Sequence, residues 1–221
     1  MREVALDTET TGLDPAAGHR IVEIGCIELV NHVATDRNFH SYVNPDRDIP
    51  VEAQAVHGLT SEFLAGQPTF SAIVDDFDAF IGDSPLVIHN AEFDIRFLNA
   101  ELQAINRPPL ALQRTIDTVS LARRKYPGAP ANLDALCRRF QIDNSDRTLH
   151  GALKDARLLA EVYLELIGGR QRDLGLAAEI ARGVDAKAQN RRTPRPHAPS
   201  AEEELAHAAF IAKLQSPIWK A

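Results

Sequence analysis

Four carboxylates and one imidazole stand out in this chain because each is set in an otherwise apolar stretch. Asp7 and Glu9 flank Thr8 directly after Val4, Ala5 and Leu6; Asp94 lies midway; His150 and Asp155 come late in the chain, where the long apolar segment 151–167 begins. An isolated buried carboxylate is strongly unfavourable unless it is paired or bound to a metal ion. So many acids beside core-forming segments predict a metal-dependent enzyme. Their hard oxygen donors suit Mg²⁺ or Mn²⁺ rather than zinc.

Spacing refines this reading. Side chains alternate along a strand, so Asp7 and Glu9 project from one face about 7 Å apart, with Val4 and Leu6 anchoring the other. Metal ions in a two-ion phosphoryl-transfer site lie about 3.5–4 Å apart, so such a pair can hold one ion and reach a second. Five residues of helix turn through about 500°, which would leave His150 and Asp155 about 140° apart if both were helical. Gly151 resolves the conflict by letting His150 sit in the preceding loop and fold back on Asp155. An imidazole, with an ordinary pKa of about 6.5, suits a general base beside a metal-bound water.

The elements that must position these groups follow from pattern. Residues 3–7, 20–30 and 36–43 read as strands rich in β-branched and aromatic residues, joined by turn-forming stretches such as TGLDPAAG. After Pro68 and Thr69, the helical spacing of Phe70, Ile73, Val74, Phe77 and Phe80 predicts a helix. Residues 85–88 form a short buried strand, and Asn90 is the expected N-cap of a helix carrying Phe93, Phe97 and Leu98 inward. A further strand at 115–118 precedes helices at 118–126, 132–140 and 151–167, the last stopped by Gly168-Gly169. Three strands followed by strands alternating with helices predict an α/β fold, a mixed sheet covered by helices.

With 221 residues the chain is long enough for one full domain and an appendage. A content of 44% hydrophobic and 25% charged residues, without a membrane-length apolar run or a signal peptide, predicts a soluble cytoplasmic protein with no membrane contact. Cys26 and Cys137 read as small buried thiols, and the absence of CxxC argues against structural zinc. The net charge of −7 has the wrong sign for a stand-alone nucleic-acid binder, whose affinity comes mainly from Lys and Arg neutralising phosphates. A nucleic-acid substrate would have to be held by metal ions and a few local contacts, or be delivered by a partner.

LDTETTGLDP, VIHNAEFDIRFL and LHGALKDARLLAEVY resemble the three motifs of the DEDDh 3′-5′ exonuclease superfamily. Within it the chain is most similar to the proofreading epsilon subunits of bacterial DNA polymerase III, through PTF, NLDALC, RTLHGAL and the final IWKA as well. The resemblance implies a ribonuclease H-like, mixed five-stranded sheet flanked by helices. It implies that Asp7, Glu9, Asp94 and Asp155 bind two divalent metal ions, Mg²⁺ or Mn²⁺, and that His150 is the general base. Asp7, Glu9 and Asp155 would also meet substrate, as would Glu52 and His57, while His89 is assigned to structure. The implied reaction is hydrolysis of mispaired 3′-terminal nucleotides from single-stranded DNA ends to nucleoside 5′-monophosphates. An exoribonuclease trimming RNA 3′ ends and a non-catalytic polymerase–clamp adaptor are the competing readings.

Composition changes after Gly169, giving an expected division into a 1–169 exonuclease domain, a 170–199 linker with a flexible, Pro-rich, basic stretch at 185–199, and a 200–221 tail. Gln171, Leu174 and Leu176 resemble the short peptide that bacterial proteins insert into the sliding clamp. Ser200 and Glu203 have capping-box spacing and open a last helix that Pro217 closes. By the resemblance, this segment binds the polymerase alpha subunit, with Phe210 and Trp219 as apolar anchors. Whether a small theta-like subunit also binds is left open by the sequence.

Overall fold

Five strands build one sheet: β1 (Arg2–Thr10), β2 (Ile21–Val30), β3 (Val33–Tyr42), β4 (Leu86–Ile88) and β5 (Thr115–Asp117), in the order β3-β2-β1-β4-β5. β1, β2 and β3 run antiparallel, while β4 and β5 extend the sheet parallel to β1. The helices are α1 (Val51–His57), α2 (Ser61–Ala65), α3 (Phe70–Ile81), α4 (Ala91–Ala104), α5 (Thr118–Lys125), α6 (Leu133–Phe140), α7 (Ala152–Leu166) and α8 (Ala201–Ile211). This computed structural model describes residues 1–145, 149–169 and 198–213. The chain divides into two units, Met1–Asp173, which holds the sheet, and Leu174–Ala221.

β1 is buried on both faces, as the central strand of a covered sheet must be. Val4 and Leu6 pack with Phe70 and Phe77 of α3 and Phe97 and Leu98 of α4. Ala5 faces the other way, onto Leu136 of α6 and Leu159 and Val162 of α7. The period-two alternation expected of the DTE strand is therefore present, and it sends Asp7 and Glu9 toward the α7 face. Cys26 and Cys137 are buried in different cores, as small apolar side chains would be.

α7 lies close over the sheet because the residues it turns inward at one-turn spacing, Ala152, Ala156 and Ala160, are small and buried. The approach is closest at Gly25, which pairs with Asp7 across β1 and β2. A Cβ there would lie 2.2 Å from the backbone of Ala152 and Leu153. Glycine is thus required by contact rather than by backbone angle. At the start of β1, buried Glu3 accepts the Tyr163 hydroxyl at 2.8 Å and lies 2.7 Å from His32 Nδ1, so its charge is not isolated.

Three differences from the expected elements have physical reasons. β1 reaches Thr10, so Asp7 and Glu9 lie inside a strand paired on one side by β2 rather than at its end. α1 and α2, of seven and five residues, are not among the expected elements, because helices this short leave no repeating apolar stripe. Asn90 occupies the cap position of α4 but makes no side-chain cap bond; it adopts the left-handed conformation (φ 71°), which Asn tolerates better than most residues.

In the second unit, α8 begins as the Ser200–Glu203 spacing predicts. Ser200 Oγ accepts the Glu203 amide at 3.3 Å and Glu203 Oε2 accepts the Ser200 amide at 2.8 Å. Phe210 is exposed. Gln171, Leu174, Leu176, Pro217, Trp219 and nearly all of the expected linker lie outside the described residues. Among the described residues no helix is long and apolar enough to cross a membrane.

Gly25→Ala is expected to destabilise the protein by about 1–3 kcal/mol through overpacking against α7. At this size that lowers the unfolding midpoint by roughly 3–10 °C, measurable by scanning calorimetry. Any activity that rests on the carboxylates should fall by more than this loss of stability accounts for, because the displaced helix carries Asp155.

Candidate active site

The site forms where β1 outruns its neighbour. β4 pairs with β1 only from Val4 to Leu6, so Asp7–Thr10 extend past the last β4 residue and leave room for the start of α4. The turn between them is held from β5: the Asn90 amide donates to Asp117 Oδ1 at 3.0 Å, and His89 Nδ1 lies 2.9 Å from Thr118 Oγ1. His89 is therefore tied into the framework, as expected, although its side chain also borders the site. Asp94, one turn into α4, reaches back to β1. Its Oδ1 accepts both the Thr8 amide (3.1 Å) and the Thr8 hydroxyl (2.7 Å).

α7 supplies the other half. Gly151 is its cap, and Asp155 in its first turn is buried. His150 lies just outside the helix with its Nδ1 3.3 Å from Asp155 Oδ2, the fold-back that the five-residue spacing required. Its backbone amide donates to Val56 O of α1 at 3.1 Å, so α1 fixes the approach of the segment.

These elements bring all five predicted residues to one cavity of about 260 Å³, with Thr8, Phe93, Asn132 and Asp134. Glu9, His150 and Asp155 offer ligand atoms within 4.8 Å of one another. A second cavity of about 580 Å³ shares Thr8, Glu9 and Phe93 with the first and carries Glu52 and His57 in its wall. Both substrate candidates from α1 thus stand beside the acids. His57 is the last residue of α1. Its Nδ1 accepts the Leu59 amide at 3.0 Å, and its buried Nε2 has no partner among the described residues. Burial, opposed by Glu23 and reinforced by His150, holds its pKa below the ordinary histidine value.

Burial raises the Glu9 carboxyl to about pKa 8; His150 opposes the shift, and Asp155, Glu23 and Asp94 add to it. Burial likewise lifts Asp94 to about 7 against the hydrogen bonds from Thr8. Carboxyls held this far from their ionised state are suited to a nearby cation, which would reverse the shift. The donor set is mainly carboxylate oxygen, so the residues fit hard divalent ions.

An exonuclease family profile matches residues 4–163, most of the sheet-containing unit. The DNA polymerase III subunit epsilon of Rickettsia conorii is 52% identical over 222 aligned positions, covering 97% of this chain and 96% of that protein. This chain belongs to the exonuclease family, in its DNA polymerase III epsilon-subunit branch. The Escherichia coli epsilon subunit is 47% identical over 176 positions, covering 76% of this exonuclease and 72% of that protein. Among solved structures, exonuclease X in complex with 5′-overhanging duplex DNA superimposes with a TM-score of 0.59 at 27% identity, covering 74% of this chain and 90% of that one. The nuclease domain of 3′hExo, a DEDDh family member, shares the fold at a TM-score of 0.63 and 19% identity, covering 75% and 91%. The protein is a 3′-5′ exonuclease of a divalent-metal-dependent family.

Several residues at the site were not singled out in the sequence. Thr8 holds Asp94, a role hinted at only by a hydroxyl between two acids. Asn132 and Asp134 arrive with α6, where Asn132 Oδ1 caps the helix by accepting the Ala135 amide at 2.8 Å. Leu13 is 79% exposed at the larger cavity, and a single exposed leucine carries no pattern to detect.

The raised carboxyls make stability depend on pH. Below about pH 4.5 Glu9 is protonated in both folded and unfolded chains and has no effect. Between there and about pH 8 the unfolded chain releases the proton first, so folding is progressively disfavoured. The chelator-treated protein should therefore lose unfolding temperature from pH 5 to pH 8. Added Mn²⁺ should restore more at pH 8 than at pH 5, and Glu9→Gln should flatten both effects in calorimetry.

Proposed function

We propose that this exonuclease is the proofreading subunit of a replicative DNA polymerase, removing mispaired 3′-terminal nucleotides as nucleoside 5′-monophosphates. The observation that carries this reading is that the carboxylate cavity and a larger one share Thr8, Glu9 and Phe93 in their walls. The scissile phosphodiester can meet the acids while the terminal nucleoside occupies the space beside Glu52, His57 and Phe93.

Asp7, Glu9, Asp94 and Asp155 would hold two divalent ions, Mg²⁺ or Mn²⁺. When bound, such ions supply Lewis-acid stabilisation of phosphoryl oxygens and acidify a coordinated water. The chain's own groups do the rest. Nδ1 of His150 faces Asp155, which favours the proton on Nδ1 and makes Nε2 the basic atom that would take the proton from the attacking water. His57 presents Nε2 as a donor to a substrate oxygen, because its Nδ1 already accepts the Leu59 amide. Leu13 and Phe93 offer apolar surface to a base.

Selection of mispairs then needs no recognition of the wrong base. Each stacking step of matched duplex is worth about 1.4 kcal/mol, so freeing a few paired nucleotides is strongly unfavourable. A mispaired end has already lost part of that and enters more often. The net charge of −7 gives little general attraction to DNA, which supports delivery by tethering. In this reading the 200–221 segment, with Phe210 and Trp219, binds the polymerase alpha subunit, and Gln171, Leu174 and Leu176 engage the sliding clamp. A tether can raise effective concentration to about millimolar without new DNA contacts. A theta-like small subunit is compatible with this assembly.

Nucleotide release from a 5′-labelled primer tests the reading. A 3′-mispaired end should shorten faster than a matched one at low temperature, with Mg²⁺ or Mn²⁺ and not with chelator. Asp7→Ala with Glu9→Ala should abolish shortening, and His150→Ala should lower kcat by about 10²–10⁴ with little change in KM. Preference for an RNA strand would move the protein to RNA trimming. For the tail, truncation after residue 185 should abolish co-purification with the alpha subunit, and Gln171→Ala with Leu174→Ala should weaken clamp binding; retention of either interaction contradicts its assignment.

A further inference from the structure

A second imidazole lines the larger cavity. His19 follows the TGLDPAAG turn, and its ring lies flat against Gly12: a Cβ on Gly12 would stand 2.4 Å from Nδ1 and Cε1 and 2.6 Å from Nε2. Only glycine at position 12 leaves the ring this place.

The hydrogen bonds around it fix which nitrogen carries the proton. Thr11 is wholly buried, and its hydroxyl oxygen accepts the Arg20 amide at 3.0 Å. The hydroxyl proton then needs an acceptor, and the partner the structure gives it is His19 Nδ1 at 3.2 Å. The opposite arrangement would direct two donors at Thr11 and leave its own proton buried without an acceptor, which folded proteins avoid. His19 therefore carries its proton on Nε2, the edge turned away from Thr11. His57, in the wall of the same cavity, has the same polarity, with Nδ1 accepting from Leu59 and Nε2 without a partner among the described residues. The larger cavity thus presents two N–H donors and apolar surface beside the carboxylates of Asp14 and Glu52; Asp7, Asp94 and Asp155 line the smaller cavity, and Glu9 borders both.

We infer that His19 is a substrate-contacting residue whose Nε2–H donates to the base of the 3′-terminal nucleotide. This rests on the proposed function, which puts the scissile phosphate at the carboxylates and so leaves the nucleoside for the larger cavity. The matching acceptor lies on the minor-groove edge, N3 of a purine or O2 of a pyrimidine, and every base carries one. A donor aimed there holds the terminal base without choosing among sequences, as a nuclease acting on any primer end requires.

The test compares wild type, His19→Ala and His19→Gln on a 5′-labelled single strand ending in a normal nucleotide and on one ending in an abasic site. His19→Ala should raise KM by about five- to tenfold on the normal end, equivalent to about 1.0–1.4 kcal/mol of lost binding, with kcat within about twofold. His19→Gln, whose side-chain amide can replace Nε2–H, should recover most of the loss. On the abasic end the wild type and His19→Ala should have equal KM. An unchanged KM on the normal end, or the same rise on both ends, overturns the inference. If His19→Ala has a lowered unfolding temperature, the comparison of His19→Gln between the two ends decides: a KM near wild type on both supports the contact, and a rise of equal size on both overturns it. A wild type that shortens neither strand overturns the proofreading reading as well, whereas an active wild type beside an unaffected His19→Ala rejects the His19 contact alone.

Discussion

Several carboxyl groups are held around the end of one strand, away from water, and the rest of the structure depends on tolerating that crowding. Glu9, Asp94 and Asp155 are each at least nine-tenths buried, and Asp7 is half-buried beside them. Nothing in their mutual electrostatics favours the arrangement in the absence of a cation. What holds it is packing elsewhere: two apolar layers on the two faces of β1, one built on α3 and α4, the other on α6 and α7. The strand is clamped between them, and its acids go where the clamp puts them.

The site is assembled from both faces of the sheet. Asp7 and Glu9 lie on the α7 side by strand alternation, where Asp155 and His150 meet them. Asp94 belongs to the opposite side and is fastened to Thr8, the residue between the two acids. This wrapping is possible only because β4 is short and stops level with Leu6. A β4 two residues longer would pair with Thr8 and occupy the place where α4 begins.

Much of this was legible in the chain because the relevant signals are local. The DTE alternation, the Gly151 break between His150 and Asp155, the apolar spacing from Phe70 to Phe77 and the Ser200–Glu203 box each concern residues within a few positions of one another, and each has its structural counterpart. What the sequence concealed was settled by tertiary contact. Gly25 reads as an unremarkable strand glycine until α7 is laid upon it. Asn90 reads as a capping side chain, but its value lies in its backbone angle. α1 is too short to announce itself, yet it carries His57 and holds the main chain of His150.

Gly25 also gives the catalytic frame a direction of stiffness. With backbone atoms of α7 pressed against it, the helix has no clearance toward the sheet, so Asp155 cannot approach the acids of β1 any further. The separation between the two halves of the site has a hard lower stop, set by main-chain contact and independent of what lies between them. His150 is outside that stop: it precedes the helix, is 46% exposed, and is joined to the frame through Val56 and Asp155. The groups suited to holding charge are thus gauged by the backbone, whereas the group suited to moving a proton keeps the freedom of a side chain at the rim.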